Sequence, residues 1–148
     1  MNKLFALAIT ALASSTAIAG EIADNATIGW QEAQCAAISR LDETGYNGAA
    51  GDQLLKLAKP RLSRYFTQYK ANAISKEEWG KIGGNLEASA KISDDADHFV
   101  YAVLADYTRK LQHLKSESNF TPDSVNGQFF YSMAWVNGGC AAMLALDK

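Results

Sequence analysis

The chain of 148 residues has little of several things at once, and each scarcity excludes something. It carries two Pro, two Cys and two His. So few prolines, with eleven Gly, rule out collagen-like and proline-rich low-complexity character. Two Cys and two His in the whole chain argue against a zinc site of the usual Cys/His kind. The Cys-x-x-Cys-His spacing is absent, which removes a covalently attached haem. A formal charge of −2 supplies no overall pull toward nucleic acid. There is no Gly-x-Ser-x-Gly segment, and no strand pattern precedes the glycine-rich stretches as dinucleotide and phosphate loops require. No apolar run reaches the ~20 residues needed to cross a bilayer. Finally, no stretch alternates apolar and polar residues long enough for a half-buried strand.

What is present is a chain with 48% apolar residues, enough for one packed core at this length. Its first nineteen positions read as an address. Lys3 gives a positive start, 4–13 is apolar, and the small residues that follow end in Ala17-x-Ala19. This is the pattern of a secretory signal peptide over 1–19, cut before Gly20, and the short Ala-rich form is bacterial in type. No Cys stands at the cut, so a lipid anchor is not expected. The expectation is a single domain over 20–148, located in the periplasm or secreted.

Cys35 and Cys140 are the only cysteines. In an oxidising compartment such a pair forms a disulfide. Closing a loop on the order of 100 residues is worth about 4–5 kcal/mol on the chain-entropy account.

Apolar residues recur at spacings of three and four, the helical signal. Thr27 is read as the cap of a helix ending near Thr44, with Trp30, Ala33, Ala37 and Leu41 on its apolar stripe. Asp52 is read as the cap of a second, with Leu55, Ala58, Leu62, Tyr65, Phe66 and Tyr69 inward and a kink or break at Pro60. Ser75 and Glu78 have capping-box spacing before Trp79, Ile82, Leu86 and Ala90, with Gly83-Gly84 between. Ser93 is read as the cap of a fourth helix, through Phe99, Val100, Val103, Tyr107, Leu111 and Leu114. Thr121-Pro122 opens a last helix whose stripe is Val125, Phe129, Met133, Val136, Cys140 and Met143 or Leu144, with Asn137-Gly138-Gly139 read either as a bend or as a place for the first helix to pack closely. The expected fold is all-α: a small antiparallel bundle of about four to five helices, stapled by one disulfide.

Two clusters could carry function. Lys56, Lys59, Arg61, Arg64 and Lys70 lie on the second helix without an acidic neighbour, interleaved with Tyr65, Phe66 and Tyr69. That arrangement suits docking to an acidic protein or an anionic envelope component, against the plainer reading of a basic solvent face. Asp94, Asp97 and His98 could place two carboxylates and an imidazole together as a partial metal site or acid–base pair, which would make the protein a small metal-assisted or acid–base hydrolase. The plainer reading is an acidic helix start, favoured by the helix dipole. His98 and His113 sit about 22 Å apart on one helix, so they cannot share a metal. A haem or small-ligand carrier, using one His with Met133 or Met143, is a further alternative. Glu32 and Glu78 are read as solvated. The sequence therefore points to an exported, non-catalytic binding protein. Its expected partner is another periplasmic or secreted protein or an anionic envelope component, with no cofactor, nucleic acid or membrane span.

Overall fold

The computed structural model describes residues 10–75, 78, 82, 86–118 and 124–145. Among these residues every regular element is helical. In chain order they are α1 (Thr10–Leu41), α2 (Gly48–Lys70), α3 (Leu86–Ile92), α4 (Ala96–Glu117), α5 (Val125–Gln128), α6 (Phe130–Asn137) and α7 (Cys140–Met143). The all-α bundle expected from the spacing is what forms. None of the described helices is long and apolar enough to cross a membrane.

α1 and α2 make an antiparallel hairpin, and the register is visible in pairs that run in opposite senses. Gly51 lies on Ser39, Arg61 on Gly29 and Glu32, and Arg64 on Glu21. Small residues allow this closeness. Ala33, Ala36 and Ala37 of α1 and Ala58 of α2 are fully buried. A Cβ on Gly51 would stand 1.7 Å from Ser39 Oγ and 2.4 Å from Ser39 Cβ, so no larger residue fits there without moving a helix.

α4 packs against both members of the hairpin and completes a three-helix body. Its Phe99 ring lies 5.3 Å from Phe66 and 5.7 Å from Tyr65, centroid to centroid, within the range of favourable aromatic pairs. A second, smaller core gathers Cys35, Ile38, Leu54, Leu111, Tyr131, Trp135 and Cys140 at the end where α1 turns into α2. The Cys35–Cys140 disulfide lies within it, with Cα atoms 5.5 Å apart, and ties α7 to α1.

Several helix boundaries differ from the sequence reading, each for a local reason. Thr27 does not cap α1, which already runs from Thr10; its hydroxyl donates to Ala23 O one turn back. α1 stops at Leu41, and Gly45 takes a positive φ of 68° inside the following turn. α2 opens at Gly48 after Asn47, not at Asp52. Pro60 neither ends nor splits it, because Ala58 and Leu62 on either side are pinned against α1 while Pro60 faces solvent. Asp95, not Ser93, caps α4 by accepting from His98 N at 2.7 Å. Ser93 is instead buried and donates to Ser89 O in the last turn of α3. The Ser75–Glu78 pair does meet, with Glu78 N donating to Ser75 Oγ at 3.4 Å. Trp79, Gly83-Gly84 and Thr121-Pro122 lie outside the described residues.

The last helix differs most. It is broken at Phe129 and again at Gly138-Gly139, where Gly139 adopts a positive φ of 66°. The break turns the expected stripe outward. Phe129, Met133 and Val136 are exposed, while Tyr131 and Trp135 of α6 face the core instead. Cys140 still points inward, as the spacing requires.

Two stability outcomes follow from this packing. Reduction of the disulfide should lower the thermal midpoint by several degrees, because a long loop is released in the unfolded chain; equal melting with and without reductant would contradict it. Gly51→Ala should cost about 1–3 kcal/mol by overpacking the α1–α2 seam. Adding Ser39→Gly should return much of that loss in denaturant titrations, since it removes the atoms that the new methyl would strike.

Candidate functional site

The basic stretch of α2 is only partly free to meet a partner. Arg61 pairs with Glu32 of α1, whose side chain has 0% exposure. Contrary to the reading of Glu32 as solvated, the carboxylate is enclosed by the α1–α2 seam, and a buried charge must be held by an opposite one. Arg64 reaches Glu21 at 3.0 Å across the same seam. Lys70 stands 5.2 Å above the Phe66 ring, and Tyr69 packs against the main core. Lys56 and Lys59 are exposed. The structure thus brings two of the five cations into the bundle's own ion pairs. Glu78 is also buried rather than solvated.

Asp94, Asp97 and His98 are all exposed at the start of α4. His98 Nδ1 approaches Asp94 Oδ2 only to 3.9 Å, and the nearest firm bond in the cluster is the Asp95 cap. Among the described residues no group of three His, Cys, Asp or Glu is placed to hold a metal ion. The geometry here is that of a helix start, whose N–H groups and positive pole accept carboxylates.

The feature that sequence reading missed lies at the opposite end of α1. A groove of about 780 Å³ opens between the α1–α2 turn and the α6–α7 corner. Tyr46, Phe129, Trp135 and Val136 supply its apolar surface, and Gly139, Ala141 and Ala142 keep it open at the corner. Tyr46 is 90% exposed and Val136 74%, so the groove is rimmed by apolar groups that no described residue covers. Smaller recesses continue from it along Phe129 and Met133. Volume and lining fall within the range of ligand pockets, which are mostly apolar with a few placed polar groups.

Those polar groups gather at one edge around Asp42. Asp42 is 5% exposed, and its carboxylate accepts from Thr44 N at 3.2 Å, Thr44 Oγ1 at 2.8 Å, Asn47 Nδ2 at 3.3 Å and Ser132 Oγ at 3.2 Å. Burial by itself would raise its pKa; the hydrogen bonds from Thr44, Ser132 and Asn47 outweigh burial and hold the carboxyl below the ordinary value. Asp42 is therefore an anion at neutral pH, and it joins the α1–α2 turn to α6. Thr44, Asn47 and Ser132 in turn line the groove. Two signals in the sequence pointed here: an isolated Tyr46 in a glycine-rich turn, and an apolar stripe on the last helix. The stripe was assigned to the core because nothing local marks the break at Phe129.

Comparison with protein-family models, with curated proteins and with solved structures finds no match. The class that fold and site define is a small disulfide-linked helical bundle with an open apolar groove at one end.

Truncating Arg61 separates its internal role from a docking role. Arg61→Ala leaves the Glu32 carboxylate enclosed without its arginine and should cost about 3–5 kcal/mol, read by denaturant unfolding. Replacing the pair together, Glu32→Met with Arg61→Met, should cost much less. Lys56→Glu with Lys59→Glu should leave stability within about 0.5 kcal/mol.

Proposed function

We propose that the protein is a small exported binding protein without catalytic chemistry, whose ligand is an apolar molecule seated in the groove beside Trp135. The observation that carries this reading is the groove itself. Monomeric domains rarely leave several large apolar side chains exposed together unless something binds there. Here Tyr46, Phe129, Met133 and Val136 share one end of the bundle. The internal pairing of Arg61 and Arg64 shifts the weight from the basic face of α2 to this groove.

Export is supported by the leader-like pattern of 1–19 and by the disulfide, a bond of oxidising compartments. A cut before Gly20 keeps the Glu21–Arg64 pair and every buried residue of the two apolar clusters named above.

The test uses protein recovered from the periplasm of a bacterial host, expected by intact mass to begin at Gly20. A neutral apolar dye such as Nile red should gain fluorescence on binding and alter Trp135 emission. Phe129→Ser with Val136→Ser should remove that signal with little change in melting, because both side chains are exposed. Lys56→Glu with Lys59→Glu should leave it intact. Undiminished dye binding by the Phe129/Val136 variant, or retention of 1–19 in the cytoplasm, would overturn the reading.

A further inference from the structure

The groove's polar edge is asymmetric in hydrogen-bonding sense, and the asymmetry selects a ligand. A hydroxyl has one proton and two lone pairs. Both hydroxyls in the lining commit their proton to the same buried carboxylate: Thr44 Oγ1 donates to Asp42 at 2.8 Å, and Ser132 Oγ donates to it at 3.2 Å. Thr44 Oγ1 also accepts from Tyr46 N at 3.3 Å, which uses one of its lone pairs. What these two groups have left to offer the groove is acceptor capacity. At these two hydroxyls an incoming carboxylate, which only accepts, meets lone pairs, whereas an incoming N–H or O–H meets acceptors; Asn47, also in the lining, gives one Nδ2 proton to Asp42 and keeps one N–H beside its Oδ1 acceptor.

Charge points the same way. No described residue lining the main groove carries a formal charge, and the carboxylate directly behind Thr44, Asn47 and Ser132 is negative. Lys115 belongs to the neighbouring recess, which it shares with Glu43, and stands 4.6 Å over the Tyr131 ring. The main groove thus combines a negative group behind its polar edge with the aromatic side chains of Tyr46, Phe129 and Trp135. Aromatic faces and an anion together favour a cation.

We propose that the groove binds an organic ammonium: an apolar tail along Phe129, Trp135 and Val136, with its N–H donors at the Thr44–Ser132 edge in front of Asp42. This rests on the groove being a binding site, as argued above, and adds the chemical class of the head group.

The experiment compares amphiphiles with one dodecyl tail and different heads, each below its micelle concentration. Dodecylammonium carries charge and donors, dodecyltrimethylammonium carries charge alone, dodecanol carries a neutral hydroxyl and dodecanoate is an anionic acceptor. Displacement of Nile red gives the affinities, and sedimentation velocity gives the mass of the protein. Dodecylammonium should bind about tenfold or more tightly than dodecanoate, the worth of one charge-assisted hydrogen bond, with the trimethyl compound between them. Ser132→Ala should narrow that ratio, and should weaken dodecanol less than dodecylammonium. Asp42→Asn should abolish it, provided a melt shows the variant folded; Ser132→Ala answers the question if it is not. Equal affinity for all four heads would overturn the head-group assignment and leave the apolar groove standing. If no amphiphile of any head binds, the groove reading itself fails. A dimer lost in the Phe129/Val136 variant would show that a second copy occupies the groove, and would overturn the assignment too.

Discussion

The arrangement of the groove end depends on the tie between Cys35 and Cys140. α6 and α7 are short, and they bury few side chains: Tyr131, Trp135 and Cys140 itself. Segments of four and eight residues do not hold a helical shape alone, since nucleation is costly and propagation returns little over so few residues. Their position is instead imposed from outside. The disulfide pins α7 to the last third of α1, and the bonds from Ser132 to Asp42 pin α6 just past the end of α1. Between those two fixed points the Gly138-Gly139 corner has to turn, and Gly139 supplies the left-handed backbone for it. The apolar side of α6 is left facing outward as a consequence.

The rest of the molecule is held by a different constraint, the narrow seam between α1 and α2. Ala33, Ala36, Ala37, Gly51 and Ala58 bring the two backbones together, at the expense of the apolar area larger side chains would bury. Compensation comes from the third side of the triangle, where Tyr65, Phe66 and Phe99 stack. The enclosed Glu32–Arg61 pair belongs to this seam as well. Such a pair contributes little net stability against an apolar replacement, but it penalises any other register of the hairpin, because a slipped helix would enclose one charge without its partner.

Much of this was legible in the sequence because it is periodic. The stripes of α2 and α4 are read directly from spacing: Ala58, Leu62, Tyr65 and Phe66 on one, Phe99, Val100, Val103 and Leu111 on the other, all buried as expected. The pairing of Cys35 with Cys140 followed from there being no other partner. Boundaries were less legible, since caps compete. Ser93 and Asp95 are both good caps two residues apart, and burial of Ser93 against α3 decided for Asp95. Glu32 was misread because a glutamate on a helix is ordinarily solvated; only the α1–α2 register places Arg61 opposite it. The groove was illegible for a related reason. Period 3.6 reports which residues share a face of an unbroken helix, and says nothing about where the helix breaks.

That last point bears on how the groove relates to the fold. An apolar stripe that is broken and turned outward costs free energy in water, and the fold keeps it exposed by spending its strongest local devices on the corner. Asp42, in the α1–α2 turn, collects hydrogen bonds from that turn on one side and from α6 on the other. Its replacement by a small apolar residue would leave Thr44 Oγ1, Asn47 Nδ2 and Ser132 Oγ to find new acceptors, and water in the groove could satisfy them. An anion is therefore not required for folding by hydrogen-bond accounting alone. What it adds is orientation: while ionised it holds both hydroxyl protons away from the groove and fixes which way the polar edge points. A bundle that needed only to close this corner could do so with a neutral side chain; one that discriminates among head groups needs the oriented edge.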